Sequence, residues 1–531
     1  HNAMGHALRS KYLYAVVTDV YSETVEDDQM KNLTCIWKDI VTRKMYVTGA
    51  CGALYDGTSP DGTCYEPDSI QKVHQSYGRP YQLPNSTAHN ETCANIGNML
   101  FNWRMLEVTG DAKYADIVET ALYNSVLSGV SLDGKKYFYT NPLRISADLP
   151  YTLRWPKERT EYISCFCCPP NTLRTVCQAQ NYAYTVTPNA VYCNLYGANT
   201  LATTLKETGK IGLVQETEYP WEGAVKLTVT EAPKPSKKKA FSLFLRVPDW
   251  CEKATLKVNG EPVQGTWKAN TYAEVNRIWK KGDCVEWVMD MPVKLLEANP
   301  LAEEIRNQVV VKRGPLVYCL ESMDIEGGHK IDNVLIPADI RLTPKKITIE
   351  GSPIVALDGT ARLVDEVSWK DTLYREVGKA DKPVHIRLIP YYAWGNRGKA
   401  EMTVWMPLAR PNHNPLTPND LQMKKIFITT AALLIACTLS AADLFVSPEG
   451  NDRNPGTKDS PKATLTAALR QARELRRLND ESVKGGITIH LEAGDYHLYE
   501  PVFIRPEDSG TEASPTVITS DGNAVLNGGV E

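Results

Sequence analysis

Residues 92–110, TCANIGNMLFNWRMLEVTG, decide what the first part of this chain is. Ile96, Met99, Leu100, Trp103 and Leu106 recur three and four positions apart, the spacing of one side of an α-helix, and Gly110 stops the run. Outward from there, YADIVETALYNSVLSGV (114–130) keeps the period, and Leu8, Tyr12, Ala15, Val16 and Val20 give the opening residues the same spacing. Residues 1–178 therefore read as mostly helix. From about residue 180 the period falls to 2. AVYCNLY (190–196), AVKLTVTEA (224–232), FSLFLRVP (241–248), ATLKVNG (254–260) and DCVEWVMDM (283–291) are short strands between Gly, Asn and Pro turns. Their regular spacing predicts an antiparallel β-sandwich over 179–293. A second β-rich block over 294–415 carries VVVKRGPLVYCLE, HIRLIPYYAW and EMTVWMP. Residues 416–422 close a Pro/Asn-rich stretch without periodicity.

With 531 residues, 43% hydrophobic and 23% charged, the chain can bury several cores, which excludes wholesale disorder. Lys+Arg 59 against Asp+Glu 63 leaves a net charge of −4 and gives nucleic-acid binding no compositional support. The 13 cysteines are odd in number and uneven in placement, with Cys165, Cys167 and Cys168 inside four positions. That pattern points to metal or thiol chemistry rather than a disulfide scaffold.

The concentrated ligand groups are Glu91-Thr92-Cys93 and Cys165-Phe166-Cys167-Cys168-Pro169-Pro170. Zn²⁺ takes four ligands tetrahedrally, and thiolates with a carboxylate are within its repertoire. Cys93 is expected just ahead of the Ile96 helix, and the Cys167-Cys168 pair just ahead of a helix opened by the two prolines. A helix N-terminus and a metal both favour thiolate, so depressed cysteine pKa values are expected. Two other readings stay open: buried small hydrophobes, or a disulfide from Cys165 to Cys168 or Cys93.

HNETCANIGN (89–98), SCFCCPPN (164–171), LRVPDWC (245–251), RGPLVYCLE (313–321) and YYAWGNRG (391–398) together resemble glycoside hydrolase family 127, the β-L-arabinofuranosidase-like enzymes. The resemblance covers residues 1 to about 415. It implies an (α/α)₆ barrel followed by two β-sandwich domains, with zinc held by Glu91, Cys93, Cys167 and Cys168. It also implies Cys167 as the nucleophile of a retaining hydrolysis through a thioglycosyl-enzyme. His6, in GHALRS, and Tyr139, in YFYTNPL, match residues that contact the sugar and flank the nucleophile. The family's acid/base Glu stands eight residues before Leu-Pro-Asn; counted back from Leu83-Pro84-Asn85, this chain has Gln75. An amide cannot donate and retrieve a proton. His74, Glu66 or the substrate's own carboxylate could substitute. The departure shifts the expected substrate from plain arabinofuranose to a terminal L-sugar or acidic sugar of plant pectic glycan, as in members that release aceric acid from rhamnogalacturonan II. A non-catalytic, zinc-structured glycan-binding protein is the rival from another class.

Met423-Lys424-Lys425 precedes fourteen uncharged residues, IFITTAALLIACTL, and then Ser440-Ala441-Ala442. That is the order of a signal peptide, here over 423–442, and it is shorter than the roughly 20 residues a membrane span needs. Together with an opening that lacks an initiator Met, it suggests two joined reading frames. The first is an amino-terminally truncated enzyme that keeps only the later part of its barrel. It is expected to hold zinc, turn over little, and leave Trp103 and Leu106 facing solvent. Both parent proteins would act in a bacterial periplasm or at the cell surface. Residues 443–531 resemble the cap of a right-handed parallel β-helix such as glycoside hydrolase family 141.

Overall fold

The computed structural model describes residues 2–55, 74–147, 152–233, 239–365, 372–376, 382–410, 441–478, 480–498, 502, 504, 508–520 and 522–528. The chain forms two compact units, His1–Pro411 and Asn412–Glu531. Glu66, the linker 416–422 and the 423–442 segment up to Ser440 lie outside the described residues. Among those described, no helix is long and apolar enough to cross a membrane.

The first unit opens with α1 (Ala7–Thr24), α2 (Asp27–Arg43), α3 (Thr92–Thr109) and α4 (Ala112–Thr120), which runs on into a π-helical turn at Ala121–Val126; α5 is Cys168–Gln178. "Mostly helix" is an over-reading: residues 44–91 and 127–167 are largely irregular where described. Stretches such as YGRPYQLPNSTAHN (77–90) are turn residues without apolar period, so they cannot sustain a helix. Helix α3 is also not one-sided. Thirteen of its residues are buried, including Trp103 and Leu106, which were expected at the surface. Tyr182 covers Trp103 edge-on at 5.0 Å between ring centroids. On α1 the buried face runs through Ala7, Lys11, Ala15 and Thr18, while Val16 and Val20 are exposed. The rotation follows from Gly97, where the Lys11 stem and the Tyr12 ring crowd the space a Cβ would take, at 3.3 Å each. Lys11 Nζ then donates to Ala94 O at 3.2 Å.

The middle sandwich has the expected strands. A four-stranded sheet (Tyr184–Val186, Ala190–Cys193, Phe241–Val247, Thr271–Arg277) faces a six-stranded one over a core built on Trp287, Leu213, Leu227 and Leu243. One pairing departs from antiparallel: Ala190–Cys193 runs parallel to Phe241–Val247. Arg246, on the latter strand, reaches α4 and meets Asp116 and Glu119, all three buried.

The C-terminal block is not a second two-sheet sandwich. Its nine described strands, with Arg144–Ile145 of the helical region added at one edge, form one ten-stranded sheet, and Gln308–Arg313, Leu316–Ile325, Lys382–Pro390, Ser352–Leu363, Val334–Pro337 and Met406–Ala409 pair round into a closed, barrel-like path. Both faces are covered. Val309, Val311, Tyr318 and Leu388 pack inside, while Val310, Val317, Cys319 and Ile389 pack outward among Ala88, Phe138 and Leu143 of the helical region. Burial on both faces is why VVVKRGPLVYCLE is almost continuously apolar rather than alternating. Arg159 fastens this contact, donating to Ser128 O at 3.1 Å and Tyr392 O at 3.2 Å, while Phe138 stacks on Trp394 at 4.8 Å.

In the second unit, Ala442–Val446, Ile487–Leu491 and Ser514–Ser520 pair in parallel, as do Gly494–His497 and Ala524–Asn527. Helix α6 (Leu465–Arg477) buries Leu465, Ala468, Leu469 and Ala472 on one side and is capped by Thr464, whose side chain accepts from Ala467 N.

Candidate metal–thiol centre

Two helix beginnings converge to make the site. Glu91 is the N-cap of α3, and Cys93 lies inside its first turn rather than ahead of it. Cys167 is the N-cap of α5 and Cys168 its first residue, with the prolines following as expected. Both ends present unsatisfied N–H groups and a positive dipole to the sulfurs. The α3 start is pinned from outside. Glu91 pairs with Thr140, Thr92 N donates to Tyr139 O at 2.9 Å, and a Cβ on Gly129 would meet Thr92 Cγ2 at 2.5 Å. The α5 start is tied to α1 through Asn171 Nδ2, which donates to Tyr12 Oη at 3.1 Å.

One ligand atom from each of Glu91, Cys93, Cys167 and Cys168 lies within 4.8 Å of all the others. Cys93 Sγ is 3.5 Å from Cys168 Sγ, and Cys167 Sγ is 3.5 Å from Glu91 Oε1 and 3.7 Å from Cys168 Sγ. These are separate thiols, so the disulfide alternative is not realised, and the cysteines among the described residues are free. Three of the four residues are buried, and Cys167 is half-exposed.

The electrostatics fit a cation. Burial, and then the charge on Cys167, push the Glu91 carboxyl up to about 8. Its Oε2 is buried without a hydrogen-bond partner. Hydrogen bonds from Cys167 and Cys168 pull Cys93 down to about 5, whereas Cys168 is pushed up by the bonds it makes to Cys167 and Cys93. Adjacent buried sulfurs cannot all carry charge unless a cation sits among them. Three soft donors, one hard donor and an orphaned carboxylate oxygen suit a zinc ion held by these four residues.

His6 and Gln75 stand together beside the cluster. Ala7 N donates to Gln75 O at 3.0 Å, and His6 bridges Ser76. His6 is half-buried, its Nδ1 has no hydrogen-bond partner, and burial with the nearby Arg9 charge lowers its pKa. Gln75 Nε2 donates to Tyr139 Oη at 3.2 Å. His74, one residue away, is exposed. Tyr139 is buried face-on against Trp155, ring centroids 3.8 Å apart, and takes the His89 ring edge-on at 5.9 Å, with Tyr55 edge-on to His89 in turn. Burial and the Glu91 charge push its phenol well above the usual range. The aromatic layer of Trp155, His89 and Tyr55 has no counterpart in the sequence reading. These residues sit in irregular loops, where no period announces a partner.

Family models lie end to end along this unit. The β-L-arabinofuranosidase GH127 catalytic domain matches residues 1–181, the GH127 middle domain 190–291, and the glycoside hydrolase family 127 C-terminal domain 293–407. The chain belongs to glycoside hydrolase family 127. The non-reducing end β-L-arabinofuranosidase of Bifidobacterium longum subsp. longum is 32% identical over 413 residues, covering 76% of this chain and 59% of that protein. The chain thus spans less than two thirds of its curated family 127 relative. A solved glycoside hydrolase is 79% identical with a TM-score of 0.76, over 77% of this chain and 67% of its own. A GH127 β-L-arabinofuranosidase from Geobacillus stearothermophilus T6 is 35% identical with a TM-score of 0.69, over 77% and 61%.

Proposed function

We propose that the first unit carries the site of a retaining glycoside hydrolase whose nucleophile is Cys167. The observation that carries this reading is exposure: of the four clustered ligand residues, only Cys167 is open to solvent and hence to a substrate. Glu91, Cys93, Cys167 and Cys168 would hold zinc, which keeps a thiolate at neutral pH where a free thiol would be largely protonated. Cys167 Sγ attacks the anomeric carbon as the bond to the leaving oxygen breaks. Water then attacks the same carbon from the opposite side, returns the thiolate, and leaves the configuration retained. Tyr139, fixed by Trp155 and Gln75, shapes the wall beside the sulfur; His6 stands beside the cluster, where the family resemblance puts a residue that contacts the sugar.

Gln75 sets the substrate. Its amide holds no proton for the leaving oxygen, so the proton comes from another side chain, such as His74 or Glu66, or from the sugar itself. We favour a terminal acidic sugar or L-sugar on a rhamnogalacturonan II-like pectic chain, whose own carboxyl can serve. The relatives named for β-L-arabinofuranosidase activity favour plain arabinofuranose as the second reading. The parallel ladders of the second unit support our reading of 443–531 as the start of a parallel β-helix, a fold suited to extended polysaccharide. Both units would work outside the bacterial cytoplasm.

The test is to incubate the full chain with pectic oligosaccharides and with a β-L-arabinofuranosyl disaccharide, then quench in acid and map adducts by mass spectrometry. A glycosyl adduct on Cys167 from the pectic pool supports the reading. A larger adduct yield from the disaccharide replaces the substrate by arabinofuranose. No adduct, with binding retained, favours a glycan-binding protein.

A further inference from the structure

The thiol left over at this site is Cys165. Its Sγ is 3.8 Å from Cys167 Sγ, and it packs against the cluster that contains Cys93, Tyr139, Trp155 and Cys168. Nothing in the resting arrangement uses it, since the four-residue ligand set is complete without it.

Covalent chemistry at Cys167 creates a need for it. When Cys167 Sγ bonds to a sugar carbon, the sulfur passes from thiolate to neutral thioether. A ligand must be deprotonated to bind zinc strongly, so the set falls from three thiolates and a carboxylate to two and a carboxylate. A four-coordinate site would then keep only three anionic ligands, and its fourth place would call for another donor at the step where the intermediate must persist.

We propose that Cys165 is a reserve metal ligand that takes the place of Cys167 while Cys167 carries the sugar. Cys165 gives up its thiol proton to solvent as it binds, so one thiolate is consumed at the site and one appears. When water releases the sugar, Cys167 recovers its thiolate and Cys165 its proton. Phe166 separates the two cysteines in sequence, and the exchange requires only that one sulfur move into the place its neighbour leaves. This inference rests on the zinc-site reading above, but not on turnover.

The test uses Co²⁺ loaded into the full chain, read by the sulfur-to-cobalt absorption band and by competition with a chelator. Cys167→Ser keeps the side-chain shape and removes the thiolate, as glycosylation does. Wild type should show three-thiolate intensity, and Cys165→Ser should match it. Cys167→Ser should also keep three-thiolate intensity, supplied by Cys165, whereas Cys165→Ser/Cys167→Ser should fall to two and bind at least about tenfold more weakly. If Cys167→Ser matches the double variant in intensity and affinity, the reserve-ligand inference is overturned while the metal site stands. If wild type binds no Co²⁺, the metal site itself is overturned, and this inference with it. Cys167→Ala, compared by circular dichroism, separates a folding loss from a ligand loss: unfolding of the serine variant alone transfers the same comparison to the alanine pair.

Discussion

Gln75 donates from Nε2 to the phenol oxygen of Tyr139 across 3.2 Å, and it does so from a left-handed backbone, φ +58°. A non-glycine residue there is strained and persists only where its surroundings fix it. Here Gln75 N donates to Tyr55 O at 2.9 Å, and its carbonyl accepts from Ala7 N. The amide therefore stands at the position where family resemblance places an acid, and is held there. Gln75→Glu should place a proton donor at the same point. Hydrolysis of a simple β-L-arabinofuranosyl substrate is expected to rise, toward about 10²-fold if general acid catalysis is recovered in full. Steady-state assays of the two proteins on that substrate and on acidic pectic oligosaccharides check it. An unchanged ratio between the two substrates would remove Gln75 from the specificity argument.

Glu91 and Cys167 should separate when each is changed. Glu91→Ala removes a buried ligand whose Oε2 has no partner within the protein, so zinc content of the purified chain is expected to fall well below one equivalent. Cys167→Ala removes the proposed nucleophile and should abolish adduct formation. Metal analysis by plasma mass spectrometry and peptide mapping give the two readouts. Full zinc occupancy in Glu91→Ala would move the metal elsewhere.

Gly129 is a packing constraint on the site. Its missing Cβ leaves room for Thr92, whose Oγ1 donates to Phe138 O at 2.9 Å and accepts from Asn141 Nδ2 at 2.9 Å. Gly129→Ala forces Thr92 away and shifts Cys93, the next residue. The expected cost is about 1–3 kcal/mol, the usual range for overpacking. Urea denaturation measures it, and cobalt affinity should weaken in the same variant. A variant with wild-type affinity would show that the α3 start yields without moving its ligand.

Much of this was legible because the chemistry is local in sequence. Glu91 with Cys93, and Cys167 with Cys168, announce themselves by spacing, and the prolines after Cys168 mark the helix start that holds them. The strands of the middle sandwich were legible for the same reason, each being a period-2 run between turn residues. What failed depended on contacts between distant residues. The face of α1 is set by Gly97 on another helix, which no local period on α1 records. Trp103 finds its cover in Tyr182. The closed sheet of the third block depends on Gln308–Arg313 pairing with both Leu316–Ile325 and Met406–Ala409, strands far apart in the chain. Trp155 reaches Tyr139 from an irregular loop.

Arg246 joins the middle sandwich to α4. Arg246 is fully buried between Asp116 and Glu119, while Tyr219 Oη donates to Glu119 at 2.6 Å. Burial lowers the Arg246 pKa, but Glu119 and then Asp116 more than offset this, so the guanidinium stays charged. At Asp116 burial outweighs the attraction of Arg246, and the carboxyl is pushed up to about 7 from 3.8. A carboxyl raised in the folded state binds more protons folded than unfolded between those two values. Its contribution to stability is therefore complete below about pH 4 and is lost as the pH rises through about 7. Asp116→Asn should remove this fall, giving a urea midpoint less sensitive to pH across that interval than wild type. Arg246→Ala leaves two buried carboxyls without their cation and is expected to cost about 3–5 kcal/mol, where a buried ion pair loses one partner. Denaturation midpoints at pH 5 and pH 8 for the three proteins decide both statements. Parallel pH profiles for wild type and Asp116→Asn would mean that Asp116 stays ionised throughout, with Arg246 outweighing burial.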